Sequence, residues 1–199
     1  MLFCVQLYVT GHGFGGGLAT LFALQAATEP DSVMPKPVSL FSVASPYVGD
    51  ESFRTAHLQL ESLGKLRHLR LVNHKDAVTL EPKVSFRWNV FDSQASVGTL
   101  FKHAGMNMRL FDQSTTVEVS FPSVHAGYID AAMDEVSRGW DQSIFTNFCW
   151  NISDYWKLPQ HSLREYCKRM DTNKQALQKL YLNDLYGRHD VVGQLVPHC

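Results

Sequence analysis

The sequence predicts an α/β domain built on a parallel sheet, and three observations carry that reading. Strand-like and helix-like segments alternate over the first 72 residues. Five glycines fall within the seven residues 11–17, between the first strand and the first helix. A carboxylate, Asp76, follows the third strand closely. Strand–helix–strand–helix–strand at these lengths implies right-handed crossovers and parallel neighbours.

The elements follow in order. Phe3 to Val9 is an apolar run rich in β-formers and reads as a buried strand. From Gly17 the period becomes helical: Leu18, Leu21, Phe22 and Gln25-Ala26 form one largely apolar face, which Glu29-Pro30 ends. Val38 to Ala44 is the second strand, and Ser45 to Asp50 a loop. Glu51 to Leu63 reads as an amphipathic helix closed by Gly64, and Leu66 to Val72 as the third strand. Beyond Asp76, Val84–Phe91 and Met108–Phe121 read as strands or hairpins. His125–Val136 and Ser162–Leu185 read as helices, with aromatic residues dense between 140 and 156. This divides the chain into a domain over 1–136 and a helical, aromatic-rich extension over 137–199 packed on it.

Composition narrows the function. The chain has 199 residues, 45% of them hydrophobic, with a formal net charge of −1, so there is no basic field for nucleic acid. No apolar run approaches the roughly 18–20 residues of a membrane helix. Met1 to Cys4 lead into the first strand without a basic segment, so no signal peptide is expected. The four cysteines form no C-x-x-C pair, and neither a metal nor a cofactor is expected.

The glycine turn admits two readings. Gly11-His12-Gly13-Phe14-Gly15-Gly16 fits G-x-G-x-x-G, which cradles a dinucleotide pyrophosphate at a helix N-terminus. That site also uses an acid at the end of the second strand, where Ala44-Ser45-Pro46 stand instead. The dinucleotide module is kept as an alternative. The same residues fit the nucleophile elbow G-x-S-x-G with glycine for serine. The elbow requires an acid after a later strand and a histidine after that. Asp76 and His125, the latter in a loop ahead of a helix, come in that order.

At this point the chain resembles the class 3 (fungal lipase-like) lipases of the α/β-hydrolase fold. Val9-Thr10-Gly11-His12-Gly13-Phe14-Gly15-Gly16-Gly17-Leu18-Ala19-Thr20 is similar to the family's V-T-G-H-S-L-G-G-A-L-A-T. Phe41 to Asp50 resembles its F-G-S-P-R-V-G-N loop, and Leu71 to Val78 its R-V-V-N-x-x-D-P-V segment. Phe101 to Gly105 resembles a later aromatic-x-His-x-Gly element, and Ser123 to Tyr128 the stretch carrying the catalytic base. The resemblance spans roughly Val5 to Ala132. It implies a serine-hydrolase site with Gly13 at the nucleophile position, Asp76 as the acid, His125 as the base and the Phe14 N–H as oxyanion donor. It also implies a lipid or other acyl ester as substrate. Two departures stand out. Glycine replaces the serine, and the strands, lid and second oxyanion donor that precede the family's nucleophile strand have no counterpart ahead of Phe3. An inactive or impaired hydrolase is therefore expected, or alternatively a non-catalytic lipid- or protein-binding relative. The first strand is expected to present an unpaired edge that invites self-association.

Overall fold

In the computed structural model, residues 5–81, 84–86, 98–111, 117–120 and 159–180 are described. A five-stranded sheet has the order β1-β2-β3-β6-β7, made by Leu7–His12, Val38–Val43, Leu66–Asn73, Met106–Leu110 and Val117–Ser120. The first four strands are mutually parallel, and β7 returns antiparallel to β6. β4 (Val84–Phe86) and β5 (Gly98–Leu100) form a separate antiparallel pair. The helices are α1 (Phe14–Thr28), α2 (Glu51–Ser62), α3 (Leu163–Thr172) and α4 (Lys174–Leu177). The parallel α/β arrangement agrees with the sequence reading. His125 and the aromatic segment 140–156 lie outside the described residues.

Register levels the strand ends. His12 pairs with Val43, and Val43 with Leu71, so the C-terminal ends of β1, β2 and β3 open onto one edge. β1 runs to His12 rather than stopping at Val9, which places its end directly against the glycine turn. Among the described residues β1 has one neighbour, β2, and so terminates the sheet order.

Alternation along the strands defines two faces. Val38, Leu40 and Leu66 pack under α1, whose contribution is Ala19, Ala23, Ala26 and Ala27. The helix packs the opposite way to the face expected from its large residues. Its small residues meet the sheet, while Leu18 and Phe22 are 67% and 51% exposed. Small side chains allow the helix backbone to approach the sheet, and that close approach is imposed by the glycine turn described below. The other face, built from Leu71, Met106, Met108 and Leu110, packs against Tyr166 of α3 with Met170 and Leu177 beside it.

Towards β6 the α1/α2 face turns polar. Ser42 Oγ is 2.7 Å from His68 Nε2, His68 Nδ1 is 3.0 Å from His57 Nε2, and His57 Nδ1 is 3.3 Å from the Glu61 carboxylate. One assignment satisfies the bonded part of the chain: Ser42 donates to His68, and His68 Nδ1–H donates to His57, whose Nδ1 side faces the Glu61 carboxylate. His68 is then neutral, which suits a fully buried ring. Burial, with His57 and Arg70 nearby, pushes the His68 pKa well below its ordinary value of 6.5.

A pH dependence follows. His68 is neutral in the fold but titrates at its ordinary value when unfolded. The unfolded chain therefore binds the extra proton first, and stability is lost as pH falls through about 6.5. The urea midpoint is expected to be lower at pH 5 than at pH 8; an equal or higher midpoint at pH 5 contradicts this account.

Candidate functional site

The site begins at the turn between β1 and α1. Gly13 caps α1 with φ 57° and ψ −127°, a left-handed conformation that strains any residue with a Cβ. Its N–H donates to Val43 O at 2.9 Å, and its carbonyl accepts from Gly16 N at 2.9 Å. Gly11 is required for a different reason. A Cβ there would lie 2.2 Å from Gly15 O, because strand and helix backbones touch at this point. Gly15 itself has open space around its Cβ position. Phe14 is the first helical residue, so its N–H belongs to the amide group at the positive end of the α1 dipole.

Asp76 lies just past the end of β3 and caps the turn Ala77–Leu80. Its side chain is fully buried and accepts from three directions. Val78 N donates to Oδ1 at 3.1 Å, and the Tyr166 hydroxyl donates to Oδ2 at 2.7 Å. His161 Nδ1 lies 3.1 and 3.2 Å from the two oxygens. That contact fixes the His161 proton on Nδ1 and makes Nε2 the nitrogen that carries the lone pair.

His161 ends a single turn, Pro159–His161, just ahead of α3. Its carbonyl accepts from His12 Nε2 at 3.0 Å, and the two rings lie 4.8 Å apart. His12 precedes Gly13, so this bond ties the imidazole-bearing loop to the glycine turn. Burial and the neighbouring His161 lower the His12 pKa, in keeping with a neutral donor. Further contacts hold α3 in place. Tyr166 OH accepts from Asn73 N at 2.9 Å, Asn73 Nδ2 donates to Gln160 O at 3.0 Å, and Arg169 reaches the carbonyls of His74 and Leu110.

Of the sequence-derived residues, Gly13, Phe14 and Asp76 gather at the C-terminal edge of the parallel strands, where such sheets carry their sites. His125 lies outside the described residues. Among those described, the imidazole on Asp76 is that of His161, which the sequence reading passed over. His74 packs its ring on Phe111, and His103 stacks on Tyr47. A signal for His161 was present. Ser162-Leu163-Arg164-Glu165 is a capping-box pattern, and Ser162 Oγ accepts from Glu165 N at 3.3 Å. That pattern marks a helix start with a histidine immediately before it. Among the described residues no group of three or more His, Cys, Asp or Glu is placed to hold a metal ion, and no helix is long and apolar enough to cross a membrane.

Residues 4–86 match the family model for class 3 lipases. Phospholipase A1-II 3 of Oryza sativa subsp. japonica is 35% identical over 88 residues, which are 41% of this chain and 20% of that protein. The chain thus spans about a fifth of the length of the curated relative it matches. Among solved structures, lipase II from Rhizopus niveus is 23% identical with a TM-score of 0.45, over 64% of this chain and 42% of that one. A lipase from Rhizopus microsporus var. chinensis is 22% identical with a TM-score of 0.44, over 59% and 35%. The matched family segment contains Gly13 and Asp76 and stops short of His161.

Three substitutions test the geometry. Tyr166→Phe removes one hydroxyl, strands the buried Asn73 N–H and takes from Asp76 Oδ2 one of its two donors, and is expected to cost about 1–3 kcal/mol in chemical denaturation. Gly11→Ala is expected to cost about 3 kcal/mol, since the clash is with backbone. Gly15→Ala, in open space on α1, is expected to be neutral or to stabilise by up to about 1 kcal/mol. Similar urea midpoints for the two alanine variants would overturn the close-approach argument.

Proposed function

We propose that this chain, whose residues 4–86 match the class 3 lipase model, is an acyl-ester hydrolase scaffold with an acid–base pair, Asp76–His161, and an empty nucleophile position, Gly13. The observation that carries this reading is the Asp76–His161 contact, tied through His12 to a turn whose central residue has φ 57°. An acid, an imidazole and a left-handed turn at a helix N-terminus are the parts that acyl transfer uses.

With a serine at position 13 the chemistry proceeds as follows. The hydroxyl attacks the ester carbonyl while His161 Nε2 takes its proton. Asp76 holds the imidazole in the Nδ1–H tautomer and stabilises the imidazolium. The Phe14 N–H donates to the oxyanion. The imidazolium protonates the departing alkoxide, and water, activated by the same imidazole, then releases the carboxylic acid. Gly13 offers no side chain for the first step. Loss of the nucleophile costs about 10⁶ in turnover where it has been measured in a serine hydrolase, leaving about 10³–10⁴ over water. The chain as it stands is therefore a severely impaired hydrolase of lipid or other acyl esters. A second reading rests on Gly13 itself. A relative that binds an acyl ligand or a protein without turning over an ester has no use for the hydroxyl. Such a protein avoids the strain of a Cβ in this turn, on the order of 1–3 kcal/mol.

The test is a Gly13→Ser variant assayed on a short-chain aryl ester alongside its urea midpoint. Hydrolysis is expected to appear, with a stability loss of about 1 kcal/mol or more. In that background His161→Ala is expected to abolish the gain and His125→Ala to leave it. The reverse pattern would make His125 the base. No gain in activity, with the variant folded, would favour the binding reading.

A further inference from the structure

Helix α1 carries no charge: Phe14–Thr28 contains no Asp, Glu, Lys or Arg, and its apolar residues point to more than one side. A helix apolar all round is ordinarily a buried one. Here the small residues Ala19, Ala23, Ala26 and Ala27 meet the sheet. Gly16 and Gly17 turn towards Ser45, Pro46 and Val48, in the loop that leads into α2. The side opposite the sheet keeps Phe14, Leu18, Leu21 and Phe22 between 46% and 67% exposed.

The spacing along that outer side is regular. Phe14, Leu18, Leu21, Gln25 and Thr28 follow at steps of four, three, four and three, and all five are exposed. This is the a/d spacing with which two helices interlock along a seam. Phe22 flanks the seam, and so does Gly15, which has open space where a Cβ would lie. A contiguous, uncharged apolar strip of this kind marks a contact surface more often than a solvated one.

We propose that the outer side of α1 is a docking surface for a second copy of this chain, the two α1 helices packing antiparallel about a two-fold axis. A closed pair of identical chains uses the same patch twice, and a patch without charge meets its own image without repulsion. Antiparallel packing sets Leu18 against Leu21 of the partner subunit, and Leu21 against the partner's Leu18. Gln25 and Thr28 then lie towards the two ends, where polar rim residues stay hydrated. The seam with Phe22 and Gly15 offers roughly 500 Å² per copy, at about 150–250 Å² for a whole aromatic side chain, so a pair buries about 1,000 Å², the lower limit for a specific interface. The dimer is accordingly weak, with a dissociation constant in the micromolar range. This assigns self-association to α1 rather than to the edge of β1, and it stands apart from the hydrolase reading, since it uses neither Asp76 nor His161.

The test is sedimentation of the full chain between about 1 and 100 μM, a range that brackets a micromolar constant. A monomer–dimer equilibrium is expected. Leu18→Glu and Leu21→Lys, both at exposed positions, are each expected to raise the dissociation constant about 100-fold or more, because each sets an unpaired charge against a leucine. Mixed together, the two variants are expected to associate, since antiparallel packing brings the new carboxylate to the new ammonium. Tyr8→Lys, at an exposed position on β1, is expected to leave the dimer as it is. A chain that stays monomeric throughout the range overturns the proposal. So does a dimer that survives Leu18→Glu, a mixture of the two α1 variants that stays monomeric, or a dimer that Tyr8→Lys dissociates.

Discussion

The Asp76 carboxylate is the point on which the site and much of the tertiary structure depend. A buried carboxylate is tolerated only when its lone pairs are satisfied. Here a backbone amide, a phenol and an imidazole do so from three separate segments: the turn after β3, helix α3 and the loop ahead of it. Tyr166 then serves twice, since its oxygen also receives Asn73 N–H and its ring fills the core beneath β3 and β6. The interaction that would orient a catalytic imidazole is also the one that docks the C-terminal helix onto the sheet. Chemistry and packing share one carboxylate.

The glycine turn imposes a second constraint. Because the strand and helix backbones touch at Gly11 and Gly15, α1 must lie close over β1 and β2, and the residues beneath it are small, glycine and alanine with Thr20. The large apolar residues of α1 are thereby turned outward, and Phe14 is 58% exposed beside the site. A helix with two apolar faces, one small and one large, is what remains when backbone proximity decides which face goes in. At Gly13 the demand is conformational rather than steric, and glycine meets it without strain.

The parts of this fold legible in sequence are those written in neighbouring residues. β2, α2 and β3 were placed to within a residue because apolar alternation and the Gly64 stop are local. Gly13, Phe14 and Asp76 were legible because a turn and a strand end announce them. The packing face of α1 was not legible because hydrophobic periodicity ranks side chains by size, whereas backbone approach at Gly11 overrode size. His161 was missed because its partner is 85 residues away and the intervening sequence has no period to follow. Its only local mark is the capping box at Ser162, the same kind of helix-start position that drew attention to His125.

The span of these contacts has a kinetic meaning. The bonds from His161 and Tyr166 to Asp76 close loops of 85 and 90 residues, and the bond from His12 to the His161 carbonyl closes one of 149. Pairings of β1 with β2 and of β2 with β3 join segments about 30 residues apart and form without those longer closures. The sheet can therefore pass its rate-limiting step before the imidazole reaches the carboxylate. Residues that complete the site late in folding are expected to affect unfolding more than folding, with φ-values near zero expected for Tyr166 and His161. In such a molecule the site governs how long the folded chain endures more than how quickly it is reached.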